Sequence, residues 1–207
     1  MRKKGRGMGD SHYLPVMLDM RGKKILLVGG GAIASEKIGR LLDCTKDITV
    51  VAPDCSEKME EYIENNNLTI YRREFADSDL EGVDIVIAAV DSQELQSRIF
   101  GEARKRGVLC NAVDLPSYCD FIFPSIIRRD DFIMAFSTSG SSPALAKHLK
   151  RFFERLIPDG ISDFLVMMRE KRDSLPKGRE RMKMLDRLAS EYMESFGEYV
   201  RKALKNG

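Results

Sequence analysis

"KKILLVGGGAIASEKIGRLL", Lys23 to Leu42, places a short apolar run, three consecutive glycines and the opening of a helical pattern within twenty residues. The run "KILLV" reads as a strand, and Gly29-x-Gly31-x-x-Ala34 follows it directly at the start of a helix. That context is the one in which a glycine pattern of this kind points to a dinucleotide. Gly29 permits the tight turn, Gly31 lets a diphosphate approach the backbone, and Ala34 is small enough for the helix to pack on the strand. The free N–H groups and positive dipole at the helix start favour an anion there, which adds Ala32 and Ile33 to the expected cofactor-binding residues. The competing reading is a tight strand-to-helix turn with no ligand.

Downstream, the second run "ITVV" ends in Ala52 and Pro53, with Asp54 just beyond. An acid that grips a ribose is expected at about this distance from the glycines, at the end of the second strand. Pro53 and Asp54 are therefore assigned to the cofactor. No Arg stands at this strand end to favour a 2′-phosphate, so NAD is expected rather than NADP. Further β-rich runs, "LTIYR", "VDIVIAAV" and "VLCNAV", alternate with segments rich in Glu, Lys and Leu. Strands spaced by helices imply parallel pairing through right-handed crossovers. The expected fold class is α/β, a Rossmann-like doubly wound parallel sheet, with Ala89 at the end of the fourth run beside the cofactor.

Composition narrows the function. The chain has 207 residues, 43% hydrophobic and 32% charged, with a net charge of +2. That balance gives no electrostatic case for nucleic acid. No apolar run approaches the roughly 20 residues that span a bilayer. The opening "MRKKGRGMGDSH" is basic but no apolar segment follows it, so it reads as a flexible tail and the protein as cytoplasmic. Cys44, Cys55, Cys110 and Cys119 contain no C-x-x-C pair, and His12 and His148 are the two histidines. Reduced thiols and no resident metal are expected. His148 could ligate iron, but no second histidine is near it in sequence.

After Asp114 the pattern changes. "FIFPSII" and "FIMAFSTS" are separated by "RRDD", which reads as a β-hairpin with Arg128 and Arg129 in its turn. In "SSPALAKHLKRFFERLIPDG", Ser142 is a candidate N-cap, Pro143 suits the first helical position, and Gly160 follows the end. Leu145, Leu149, Phe152, Phe153 and Leu156 fall on one face, expected to be buried. A second amphipathic helix carries Met182, Leu185, Leu188, Tyr192, Phe196, Tyr199 and Val200. The expected organisation is a flexible tail over 1–12, a nucleotide-binding domain over 13–115, a β-hairpin segment over 116–141 and a helical C-terminal domain over 142–207.

"VLCNAVD" ends the fifth strand on Asp114. Ligands of open α/β sheets sit outside the carboxyl ends of the strands, so Asp114 should face the same crevice as the glycine turn. It is either an acid or base beside a nicotinamide, or a residue that caps a turn before Leu115 and Pro116. Asn111 carries the same ambiguity.

"YLPVMLDMRGKKILLVGGGAIASEKIGRLL", "NAVDLP", "FIFPSII" and "STSGSSPALAKHL", in this order and spacing, resemble the precorrin-2 dehydrogenase family, including the dehydrogenase and ferrochelatase module of siroheme synthases. The resemblance implies NAD-dependent oxidation of precorrin-2 to sirohydrochlorin, with Asp114 of the N-x-V-D motif in the catalytic role. It implies a homodimer formed through the hairpin segment, and in some members insertion of ferrous iron as a second substrate. Longer members carry a fused methyltransferase domain, for which this length leaves no room, so methylation is expected elsewhere. A substrate with many carboxylates calls for cations and backbone donors. Ser137, Thr138, Ser139 and Ser141, with Asn111, Arg128 and Lys147, are the expected substrate-binding residues, while Lys150 and Arg151 read as solvated charges. A non-catalytic NAD- or tetrapyrrole-binding protein is the reading from another class, since a nucleotide fold does not by itself imply catalysis.

Overall fold

The computed structural model describes residues 12–205. The expected basic tail lies outside the described residues, apart from His12. β1 (Ile25–Val28) and β4 (Ile85–Ala88) are apolar and buried throughout, and β2 (Ile48–Val51) is so except at Thr49. With β3 (Thr69–Tyr71) and β5 (Leu109–Ala112) they form a parallel five-stranded sheet in the order β3-β2-β1-β4-β5. Chain order therefore runs outward from β1 in one direction and resumes at β4 on its other side. That reversal is the topological switch point at which ligands of such sheets bind.

Helices α1 (Ala32–Leu42), α2 (Glu57–Asn66) and α3 (Gln93–Arg106) cross between the strands. α1 buries Ala34, Ser35, Ile38 and Leu41, one stripe at helical spacing. Ser56 and Ser92 cap α2 and α3 by accepting the N–H of the residue three positions on. Between β3 and β4 the crossover shrinks to a 3-10 turn, Asp77–Leu80. Asp79 anchors this turn, accepting two hydrogen bonds from the Arg73 guanidinium and one from Ala76 N–H at 2.9 Å.

The Arg73 bonds hold the Asp79 carboxyl below its usual range. A depressed folded value means stabilisation that is complete above the unfolded carboxylate value, about 3.9, and lost as pH falls through the folded value. Asp79→Asn is accordingly expected to cost about 1–2 kcal/mol near neutral pH. In urea unfolding the gap to wild type should narrow once pH drops below about 3.9; a gap that does not change with pH would rule out the ion pair as its source.

By its internal contacts the chain divides into two compact units, 1–122 and 123–207. The stretch 116–122, expected to open the hairpin segment, stays with the first unit because its backbone bonds to β5. The hairpin, expected as a part of its own, clusters with the C-terminal helices. It consists of β6 (Ser125–Arg129) paired antiparallel with β7 (Phe132–Phe136). Arg128 and Arg129 are in β6, opposite Ile133 and Phe132, and not in the turn, which is Asp130 and Asp131.

The second unit is completed by α4 (Pro143–Glu154), α5 (Ile161–Ser174) and α6 (Arg179–Lys205). Ser142 caps α4 as expected. Gly160, expected after the end of α4, stands as the N-cap of α5. The expected buried face is only partly met: Leu156 is buried just beyond α4, but Leu145 is 50% and Phe152 40% exposed, and within the helix Ala146 is the buried residue. A sheet of two strands is too narrow to cover a wide apolar stripe. Phe153 stacks on Phe136 of β7, and Phe164 of α5 stacks on Tyr192 of α6. Met182 and Tyr199, expected on the buried side of α6, are exposed. Among the described residues no helix is long and apolar enough to cross a membrane.

Candidate functional site

Parallel register brings Val28, Val51, Ala88 and Ala112 level across four strands. The residues just beyond them continue the ladder: Gly29 N–H donates to Val51 O, Ala89 N–H to Val28 O and Val113 N–H to Ala88 O. Gly29, Ala52, Ala89 and Val113 thus form the carboxyl edge, and Asp114 follows Val113. β5 stands two strands from β1, about 10 Å at ordinary inter-strand spacing.

Gly29 has φ +115°, and a Cβ there would meet Ala89 O at 2.2 Å. This glycine floors the switch point and cannot be replaced without moving β4. Gly31, by contrast, has open space on its Cβ side. It is the N-cap of α1 and makes no side-chain capping bond, and no acid stands in the first turn. Ala32 and Ile33 are exposed and Ala34 is buried against the sheet. An uncapped helix start beneath an open glycine fits a diphosphate, which would take the N–H groups of the first turn as partners.

The middle glycine was not part of the pattern and turns out to be constrained. A Cβ on Gly30 would meet Asp54 O at 2.2 Å and Cys55 Sγ at 2.8 Å. Here the β2–α2 loop lies directly on the glycine turn, held by Ser56 N–H to Gly30 O at 2.9 Å and by a Ser35–Ser56 hydroxyl pair at 3.0 Å. Pro53 and Asp54 are carried on that loop, both exposed. Ser35 and Ser56 were missed as site-building residues; only the helix-cap position of Ser56 signals its place.

Arg72, just after β3, was also missed. It lies against the Cys55 thiol beside the end of β2, although it is remote from that strand end in sequence. Its guanidinium is engaged by both Glu60 oxygens, at 2.8 and 2.7 Å. The fork is held by a carboxylate. Burial pushes the Cys110 thiol up to about 12 and raises Cys55 and Cys119, so these three remain protonated near neutral pH.

Asp114 occupies the third position of a turn closed by Leu115 N–H to Ala112 O at 3.2 Å, with φ +64°. A positive φ at this position belongs to a type II turn, which favours Gly or Asn. Asp pays about 1 kcal/mol or more for it. The carboxylate is exposed and, among the described residues, accepts no hydrogen bond, so it does not cap the turn. Such an outlier is a reason to look for function.

Asn111 departs from the substrate-binding expectation. It is 5% exposed, and its Nδ2 donates to Phe121 O at 2.7 Å and reaches Cys119 Sγ at 3.6 Å. The returning chain covers it.

The remaining expected residues belong to the second unit. Ser137 Oγ accepts Ser139 N–H at 3.0 Å, and Thr138 Oγ1 accepts Ser142 N–H at 2.9 Å. With their lone pairs engaged, both hydroxyls keep an O–H to donate to an anion. Ser139 (φ +52°) and Gly140 (φ +84°) bend the loop, and Ser141 N–H closes on Thr138 O. Lys147 and His148 are exposed on α4. Arg128 is not beside this loop: it lies three residues along β6 from Ser125, the partner of Phe136, about 10 Å at strand rise.

A family model described as "Putative NAD(P)-binding" matches residues 16–125. A siroheme synthase of Photorhabdus laumondii is 32% identical over 195 residues, 94% of this chain and 41% of the relative. One of Nitrosococcus oceani is 38% identical over 146 residues, 70% of this chain and 31% of the relative. A solved structure of "SirC, precorrin-2 dehydrogenase" superposes with a TM-score of 0.73 at 25% identity, covering 93% of this chain and all of the other. The chain belongs to this NAD(P)-binding family. The match to SirC runs through both units. The chain spans only 31–41% of the length of these two siroheme synthases.

Proposed function

We propose that this chain is an NAD-dependent precorrin-2 dehydrogenase that yields sirohydrochlorin for siroheme synthesis, acting as a homodimer. The observation that carries the reading is Asp114: a carboxylate with no hydrogen-bond partner among the described residues, held at positive φ at the same carboxyl edge of the sheet as the open glycine turn. Coverage of the whole SirC chain supports the same assignment.

In this reading Gly29, Gly31 and the N–H groups of Ala32, Ile33 and Ala34 receive the diphosphate of NAD, Pro53 and Asp54 its adenosine ribose, and Ala89 lines the way to the nicotinamide. NAD, when bound, supplies the hydride acceptor. The tetrapyrrole loses a hydride and a proton and gains a double bond. Asp114 Oδ takes the proton, which a carboxylate without a hydrogen-bond partner among the described residues is able to do. Ser137, Thr138, Ser139, Ser141, Lys147 and Arg128 bind substrate carboxylates, the hydroxyls as hydrogen-bond donors and the cations by charge.

A second reading adds insertion of ferrous iron into sirohydrochlorin, favoured by the siroheme synthase match over 94% of the chain. Asp114 would then also accept pyrrole protons as the metal enters. Incubation with precorrin-2 and NAD is expected to give the sirohydrochlorin spectrum with one NADH per product. Folded protein that binds NAD without forming product would favour a binding protein instead. Adding ferrous iron to sirohydrochlorin and comparing siroheme formation with the spontaneous rate decides the second reading.

A further inference from the structure

β5 is the last strand of its sheet, so one of its edges has no strand beside it. Such an edge exposes backbone groups that lack ladder partners. The chain that leaves β5 returns and closes part of this edge itself. Asp120 N–H donates to Cys110 O at 2.8 Å, and Asp120 Oδ2 accepts Cys110 N–H at 3.0 Å. Asn111 and Cys119 form an antiparallel bridge. The protonated Cys119 thiol donates to Ala112 O at 3.0 Å, the same carbonyl that closes the Asp114 turn. Between these ties runs a short loop, and Asp114 is at its first bend.

We infer that Asp120 is a positioning residue for Asp114. Its carboxylate and its N–H clamp the returning chain to the free edge of β5, and this holds Asp114 in the left-handed region. A non-glycine residue at positive φ costs free energy, so the conformation persists only where its surroundings over-determine it. None of the clamping bonds involves the Asp114 side chain, which leaves that carboxylate open while the backbone beneath it is fixed. Asp120 is exposed, so its truncation empties no core volume. The effect of losing it should fall on the geometry of the turn and not on global stability. The inference rests on the reading of Asp114 as the base.

The test uses the full chain carrying Asp120→Ala or Asp120→Asn. Asp120→Ala is expected to lower kcat roughly 10- to 100-fold, with NAD affinity and Tm close to wild type. It should also speed hydrogen exchange at the Leu115 amide, which bonds to Ala112 O, while exchange in β1 and β4 stays unchanged. Asp120→Asn keeps a side-chain oxygen for Cys110 N–H and should restore both readouts to within about twofold. Unchanged exchange at Leu115, or faster exchange with wild-type kcat, overturns the inference. If wild-type protein does not oxidise precorrin-2, the assignment of the base fails, and exchange at Leu115 still decides whether Asp120 clamps the turn.

Discussion

Asp114→Asn is expected to reduce precorrin-2 oxidation by roughly 10²- to 10⁴-fold, the range over which a positioned general base contributes, while NAD affinity and Tm remain those of wild type. Asparagine has nearly the same shape and accepts the left-handed region at least as well as aspartate. The turn closed by Leu115 and Ala112 should therefore survive, and only the proton acceptor is lost. Asp114→Gly separates backbone from chemistry in the other direction. It relieves the positive φ, so it should be at least as stable as wild type, yet equally inactive. Alanine is the less informative choice, because it removes the carboxylate and also strains the turn. Steady-state NADH formation, NAD titration and thermal denaturation of the asparagine and glycine variants together decide the matter. Near wild-type kcat in Asp114→Asn would show that the proton leaves by another route.

The three adjacent glycines should respond to alanine in opposite ways. In Gly30→Ala the new methyl would stand 2.2 Å from Asp54 O and 2.8 Å from Cys55 Sγ. The β2–α2 loop has to move, and with it go the Ser56 N–H to Gly30 O bond and the Ser35–Ser56 pair. Overpacking of this kind costs about 1–3 kcal/mol, and each kcal/mol lowers Tm by about 2–4 °C at this length. Gly29→Ala should be more severe, since it adds a positive φ to a 2.2 Å approach to Ala89 O. Gly31→Ala meets nothing, and its backbone is extended and open to any residue. It should fold with an unchanged Tm but weaken NAD by at least about tenfold, 1.4 kcal/mol, because the methyl occupies the diphosphate's approach. Differential scanning calorimetry and NAD titration on the three variants read these outcomes. Wild-type NAD affinity in Gly31→Ala would mean that the diphosphate does not lie over that residue.

The contrast also marks what local pattern can convey. Gly29 and Gly31 were legible because a strand, a turn and a helix start in one twenty-residue stretch carry their own geometry. Gly30 was not, because its constraint comes from Asp54 and Cys55, some two dozen residues away across a crossover. Arg72 was hidden for the same reason: no Arg follows β2 in sequence, yet β3 delivers one against Cys55. On α4 the spacing of Leu145 to Leu156 correctly marked an amphipathic helix, but how much of that stripe is covered depends on the width of the sheet beneath it.

Taken alone, the residues determined the Rossmann-like parallel sheet, the hairpin and helices that follow, and the placing of Asp114 at a strand's carboxyl edge. These are properties of periodicity and of short turns, set by neighbours within a few positions. Only the tertiary structure decided that Asp114 holds its carboxylate free at positive φ, that Asn111 spends its amide on Phe121, and that Asp120 returns to clamp β5. Each of those depends on which backbone groups the folded chain brings together, and hydrogen-bond partners far apart in sequence leave no periodic trace.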